Sequence, residues 1–151
     1  MLSSGLRVPA IAILLSICAP AHSADATIRV EGAWARRAVM LKGSEATAGT
    51  GNGAVYVALV NTGRKADALL AVTSDAATAV EIHETYQEGG MSKMRPVSRL
   101  ELRPGTSVEL KPGGHHIMLL NLTRDLKPGE AIQLTLDFED AGKIPVTAQI
   151  R

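Results

Sequence analysis

The chain has 151 residues, of which 46% are hydrophobic, enough for one ordinary domain with a buried core. Sixteen lysines and arginines against fifteen acidic residues give a net charge of +1, too balanced for the electrostatic footprint of a nucleic-acid or anionic-membrane binder. The single cysteine, Cys18, lies in the N-terminal leader. Disulfides, a thiolate nucleophile and a cysteine zinc site are thereby excluded from the mature chain, as is a blue-copper centre, which needs a cysteine ligand.

The leader combines Arg7, an apolar run over 8–18 (VPAIAILLSIC) and the small residues APAHSADA, the pattern of a secretory signal peptide. At about 11 residues the apolar run is too short to span a bilayer, which needs roughly 20, so an exported, periplasmic protein with no retained membrane segment is expected. Cuts after Ala21 and after Ser23 both satisfy the small-x-small rule; the cut after Ser23 is preferred, giving a signal peptide of 1–23 and a mature domain of 24–151. The earlier cut would leave His22 as the amino terminus, where a histidine can chelate Cu(II). Ile17 stands before Cys18 where a lipobox calls for a small side chain, so lipid attachment is not expected.

Beyond the leader, short runs rich in Val, Ile, Leu and Thr alternate with Gly, Pro, Asn and Asp, which predicts strands at 28–30, 54–61, 68–74, 79–86, 92–97, 107–110, 117–122, 131–138 and 143–150. Pro-Gly pairs at Pro104, Pro112 and Pro128 punctuate the second half at strand-turn spacing. An all-β antiparallel sandwich or barrel follows. The Gly- and Thr-rich stretch 38–53 reads as a surface loop.

No nucleophile elbow, P-loop, His-Glu-x-x-His helix or dinucleotide fingerprint is present, and an enzyme is not expected. The rare residues are concentrated instead. After cleavage at Ser23 the three histidines (His83, His115, His116) and three of the four methionines (Met91, Met94, Met118) all fall between 83 and 118. Taken singly, a methionine among apolar strands is core filling and a histidine is a solvated surface residue.

Strand alternation argues for the group. Within 79–86, Val80 and Ile82 share one face while Glu81, His83 and Thr85 share the other, so His83 points away from the core. A four-residue loop over Gln87-Glu88-Gly89-Gly90 would set Tyr86 opposite Met91 and His83 opposite Met94, with Cβ atoms about 4.5–5.5 Å apart. A two-residue Gly89-Gly90 turn would set His83 opposite Pro96, with Met94 diagonal. His116 and Met118, two apart, share a face in either case. Two imidazoles and two thioethers form a soft set that hard Mg²⁺ or Ca²⁺ would refuse and Cu(I) would accept. Imidazole ligates only when neutral, so affinity should fall as pH drops through about 6.5.

The order His83, ten residues, Met94, twenty-one residues, His116, one residue, Met118 resembles the signature of the periplasmic copper chaperones called PCu(A)C. The segments Trp34-Ala35-Arg36, Gly53-Ala54-Val55-Tyr56, Asn61-Thr62-Gly63, His83-Glu84-Thr85, Met94-Arg95-Pro96-Val97 and Leu110-Lys111-Pro112-Gly113-Gly114 are similar to the same family. The resemblance implies a cupredoxin-like Greek-key β-sandwich or barrel, one Cu(I) near the surface on His83, Met94, His116 and Met118, and delivery of copper to the copper A subunit of cytochrome c oxidase or to another copper chaperone. A monomer is expected. His115 and Met91 stand outside the motif: His115 should point opposite to His116, and Met91 could serve transient capture. Met40 reads as structural. Some relatives carry a His- and Met-rich tail, whereas this chain ends in VTAQIR, so a second, cupric site would fall to the N-terminus or His115. A periplasmic copper buffer with the same site but no dedicated acceptor is the alternative, and a non-metal β-sandwich that binds proteins is the third.

Overall fold

The computed structural model describes residues 27–39 and 51–151. The signal peptide, Cys18, His22 and Met40, together with most of the expected loop over 38–53, lie outside the described residues. Ten strands carry the chain: β1 (Ile28–Ala35), β2 (Gly53–Asn61), β3 (Asp67–Ser74), β4 (Ala77–Glu88), β5 (Met91–Pro96), β6 (Leu100–Leu102), β7 (Ser107–Leu110), β8 (His115–Leu122), β9 (Ala131–Phe138) and β10 (Gly142–Ile150). All nine expected strands are present, and β6 is an addition. At three residues it is too short to show a period, although Leu100 and Leu102 are buried around an exposed Glu101.

The strands hydrogen-bond in the order β5-β4-β8-β2-β1-β10-β9-β3-β6, with β7 paired to β2 off this path. Crossovers such as β4 to β8 and β9 to β3 separate chain order from spatial order, as Greek-key connections do. β7 and β8 occupy successive stretches of one edge of β2: Val57 to Val60 face β7, and Gly53 to Val55 face β8. On the other edge β2 pairs with β1, whose register shifts between Glu31 and Trp34.

The reason for this architecture is visible in the strand periodicity. β9 and β10 alternate, sending Ile132, Leu134, Leu136, Phe138, Ala148 and Ile150 inward. In β2, Val55, Val57 and Leu59 do the same. One face of the curled sheet therefore encloses a single apolar core to which nearly every strand contributes. Three polar side chains are buried among the described residues, Asn61, Asp67 and His116, and the first two are satisfied within the frame. The Asn61 amide donates to the carbonyls of Lys65 (2.8 Å) and Leu102 (3.0 Å), and its oxygen accepts from the Gly63 N–H at 2.9 Å. The Asp67 carboxylate accepts the N–H groups of Ala68, Asp140 and Ala141, tying β3 to the turn between β9 and β10.

The hairpin from β4 to β5 adopts the shorter of the two expected turns. Gly89 and Gly90 have φ of +59° and +76°, conformations open to glycine and matched to the twist of a two-residue hairpin. The register follows: His83 faces Pro96, Thr85 faces Met94 and Glu88 faces Met91. Direct opposition of His83 and Met94, which the four-residue loop would have produced, is corrected to a diagonal relationship on the same face. Gly53 and Ala38 likewise depart from the expected loop. Gly53 begins β2 in a buried position, and Ala38 forms a bridge with Leu126. No helix among the described residues is long and apolar enough to cross a membrane.

Candidate metal centre

β4 is the longest strand and is shared by two neighbours. Its distal half pairs with β5 and its proximal half with β8, and at His83 and Glu84 the two pairings overlap. His83 is directly opposite His116 on β8, and Glu81 is directly opposite Met118. Because alternate residues share a face, Glu81, His83, Thr85, Met94, His116 and Met118 project from one side of the β5-β4-β8 ribbon. That side is opposite to Ile82 and Ile117, which are 4% and 0% exposed in the core. Met118 also faces Ala54 of β2, a small residue that leaves room for the thioether.

The rings of His83 and His116 have centroids 5.8 Å apart and planes tilted by 60°. A metal–imidazole bond of about 2.0–2.1 Å places the ring centre roughly 3 Å from the ion, so two rings sharing an ion have centres at most about 6 Å apart. The observed spacing meets that limit without backbone movement. Each ring is held by one nitrogen. His116, which is buried, donates its Nδ1–H to the Gly114 carbonyl at 3.1 Å, leaving Nε2 with a lone pair. His83 is hydrogen-bonded through Nε2 to Glu81 at 2.7 Å, and its Nδ1 is buried with no hydrogen-bond partner among the described residues. A buried polar atom without a partner is destabilising by about 1–3 kcal/mol, and an ion between the two rings would relieve it.

Among the described residues, no three His, Cys, Asp or Glu side chains gather where an ion could sit. The two imidazoles make a multidentate set only with the thioethers, and such a set is soft. Met118 is half-buried, whereas Met94 is 57% exposed on the edge strand β5. Beside them opens a cleft of about 480 Å³, lined by His116, Met94, Met118, Thr85, Tyr56 and Arg37 among others.

The remaining sequence candidates separate clearly. His115 projects from the opposite side of β8, 3.9 Å from Glu84, which is also bonded by Arg95. An arginine in that cluster works against a cation. Met91, at the hairpin tip, is 63% exposed and faces Glu88. Two neighbours of the site were given no role there by the sequence reading: Tyr56, which lines the cleft and packs its ring against Trp34 with centroids 4.6 Å apart, and Glu81 as a partner of His83. Strand parity signals Tyr56, which shares a face with Ala54, and Glu81, two residues before His83. The packing of Trp34 depends on cross-strand register.

The family described as "Putative lipoprotein LpqE-like" matches residues 28–150. A protein of Leifsonia xyli subsp. xyli named "Putative lipoprotein Lxx21020" is 32% identical over 141 residues, covering 93% of this chain and 85% of that protein. Among solved structures, the apo PCuAC domain from PmoF1 superposes with a TM-score of 0.64 at 26% identity, over 83% of this chain and 93% of that domain. The solution structure of CuI-DR1885 from Deinococcus radiodurans gives 0.57 at 28% identity, over 79% and 76% of the two chains. This chain therefore belongs to the LpqE-like family and is a cupredoxin-like domain of the PCuAC type.

Proposed function

We propose that the mature chain, residues 24–151, is an exported carrier that binds one Cu(I) ion through His83, Met94, His116 and Met118 and passes it to a protein acceptor, the copper A subunit of cytochrome c oxidase. The observation that carries this reading is the shared face of β4, β5 and β8, which holds two opposed imidazoles, each with one nitrogen unengaged among the described residues, and two thioethers. The soft donors favour the cuprous ion over harder cations. Likeness to a structure named CuI-DR1885 supports the same ion, and the lipoprotein description of the family supports export.

Copper is cargo here, and the unequal exposure of the four donors suits its release. Met94 lies on the outermost strand, so an incoming thiolate or thioether can replace it first while His116, buried and held by the Gly114 carbonyl, lets go last. Stepwise exchange of this kind keeps the ion ligated throughout. The cleft beside Met94 and Met118 gives an acceptor side chain its approach.

X-ray absorption on the Cu(I)-loaded protein tests the site. A mixed nitrogen and sulfur shell is expected, and a shell without sulfur would overturn the proposal. Stopped-flow transfer to a copper A fragment tests the role. Handover should outpace spontaneous loss to a chelator; equal rates would make the protein a copper buffer with the same site.

A further inference from the structure

We propose that Glu81 is a positioning residue that fixes the tautomer of His83, so that Nδ1 of this ring, and not Nε2, faces the metal. The inference rests on the reading of His83 as a Cu(I) ligand and deepens it. The Glu81 Oε2 atom lies 2.7 Å from His83 Nε2. An ionised carboxylate only accepts hydrogen bonds, so the hydrogen of a neutral ring must sit on Nε2 and the lone pair on Nδ1. That same Nδ1 is the buried atom for which the described residues offer no partner.

The opposed ring uses the reverse arrangement. His116 gives its Nδ1–H to the Gly114 carbonyl and keeps Nε2 free. The two histidines, directly opposite in register, thus present different nitrogens, each selected by the group behind it. Such backing is how metal-binding histidines are oriented and made more basic. Glu81 also sets a negative charge beside an otherwise neutral donor set, where it offsets the positive charge of a bound monovalent cation. Its position opposite Met118 keeps the carboxylate at the rim, with its side chain 46% exposed while that of His83 is 14% exposed.

The test is long-range ¹H–¹⁵N correlation of the histidine rings, recorded on the apo protein and after one equivalent of Cu(I), a filled-shell ion that leaves the resonances sharp. Wild-type His83 is expected to be protonated at Nε2 in the apo protein, with Cu(I) shifting Nδ1. Glu81→Leu should give mixed tautomers at His83 and weaken Cu(I) binding by about 10–100-fold in chelator competition, while Glu81→Gln, which keeps an acceptor oxygen, should restore the tautomer and most of the affinity. A Cu(I)-induced shift at Nε2 of wild-type His83, or a Glu81→Leu variant with unchanged affinity and an unchanged Nδ1 signature, would overturn the role of Glu81 and leave His83 as a ligand. A spectrum in which neither His83 nitrogen responds to Cu(I) would remove the underlying reading as well. Should Glu81→Leu not fold, the wild-type and Glu81→Gln spectra still decide which nitrogen binds.

Discussion

His116 is tethered through its Nδ1 to the carbonyl of Gly114, two residues before it, at 3.1 Å. That carbonyl also accepts the Thr85 N–H from β4, so one peptide group aligns the ring and the neighbouring strand together. The group is placed by a tight turn in which the Gly114 N–H bonds to the Lys111 carbonyl at 3.0 Å, with Pro112 in the first corner and Gly113, at φ +83°, in the second. This is the type II pattern. A Cβ at Gly113 would meet no atom within 4 Å, so Gly113→Ala acts on the backbone alone, where the left-handed conformation disfavours an L-residue by about 1–2 kcal/mol. Thermal melting should show that loss, and Cu(I) affinity should fall with it as the Gly114 carbonyl moves. Unchanged affinity would mean that His116 needs no backing.

The two thioethers should separate in a mutant pair. Met118→Leu conserves volume at a half-buried site, so its stability should change by less than about 1.5 kcal/mol. The sulfur contribution to the copper absorption spectrum should drop. Met94→Leu lies on the exposed edge and should leave the melting temperature unaltered, while Cu(I) affinity falls about tenfold, or 1.4 kcal/mol, and release to a chelator quickens.

A third prediction concerns the frame, away from the site. Asn61→Leu strips the carbonyls of Lys65 and Leu102 and the N–H of Gly63 of their shared partner, and should destabilise the protein by about 2–4 kcal/mol. Gly63→Ala should be harmful for a different reason: its Cβ would come within 2.9 Å of the Thr27 side chain. Chemical denaturation reads both losses. The Cu(I) affinity of the folded fraction should be unaltered in each.

Acid titration gives a fourth. Hydrogen bonds from Arg99, at 2.9 and 2.6 Å, together with its charge hold the Glu139 carboxyl below its ordinary 4.5. A carboxyl depressed in the folded state stabilises the protein above its unfolded pKa, and that contribution is lost as pH falls through the folded value. Glu139→Gln should therefore lower the melting temperature slightly near neutral pH, with the difference from wild type closing below about pH 4. The pair is exposed, so the effect is small and shrinks further in salt.

Strand positions and the side on which His83 lies were legible because both depend on local alternation of apolar and polar residues. The pairing of His83 with Pro96 was one of two open registers, since QEGG can turn over four residues or two and only the backbone conformation of Gly89 and Gly90 decides. The opposition of His83 to His116 joins strands more than thirty residues apart, and no local pattern encodes such a crossover. The hydrogen bond from His83 to Glu81 also lay beyond reading: parity sets both on one face, but contact depends on side-chain rotamers.

β5 ends the sheet, and all six of its residues are exposed. The proposed handover of copper needs this margin open to an acceptor, yet an uncovered strand margin invites another copy to add its own strand and grow a fibre. Lys93 and Arg95 set two cations along this margin, and Pro96 removes an N–H that a foreign strand would need. The margin is thus guarded against polymerisation by the residues beside Met94, so an edge that the proposed function leaves open to an acceptor resists a second copy of the same chain.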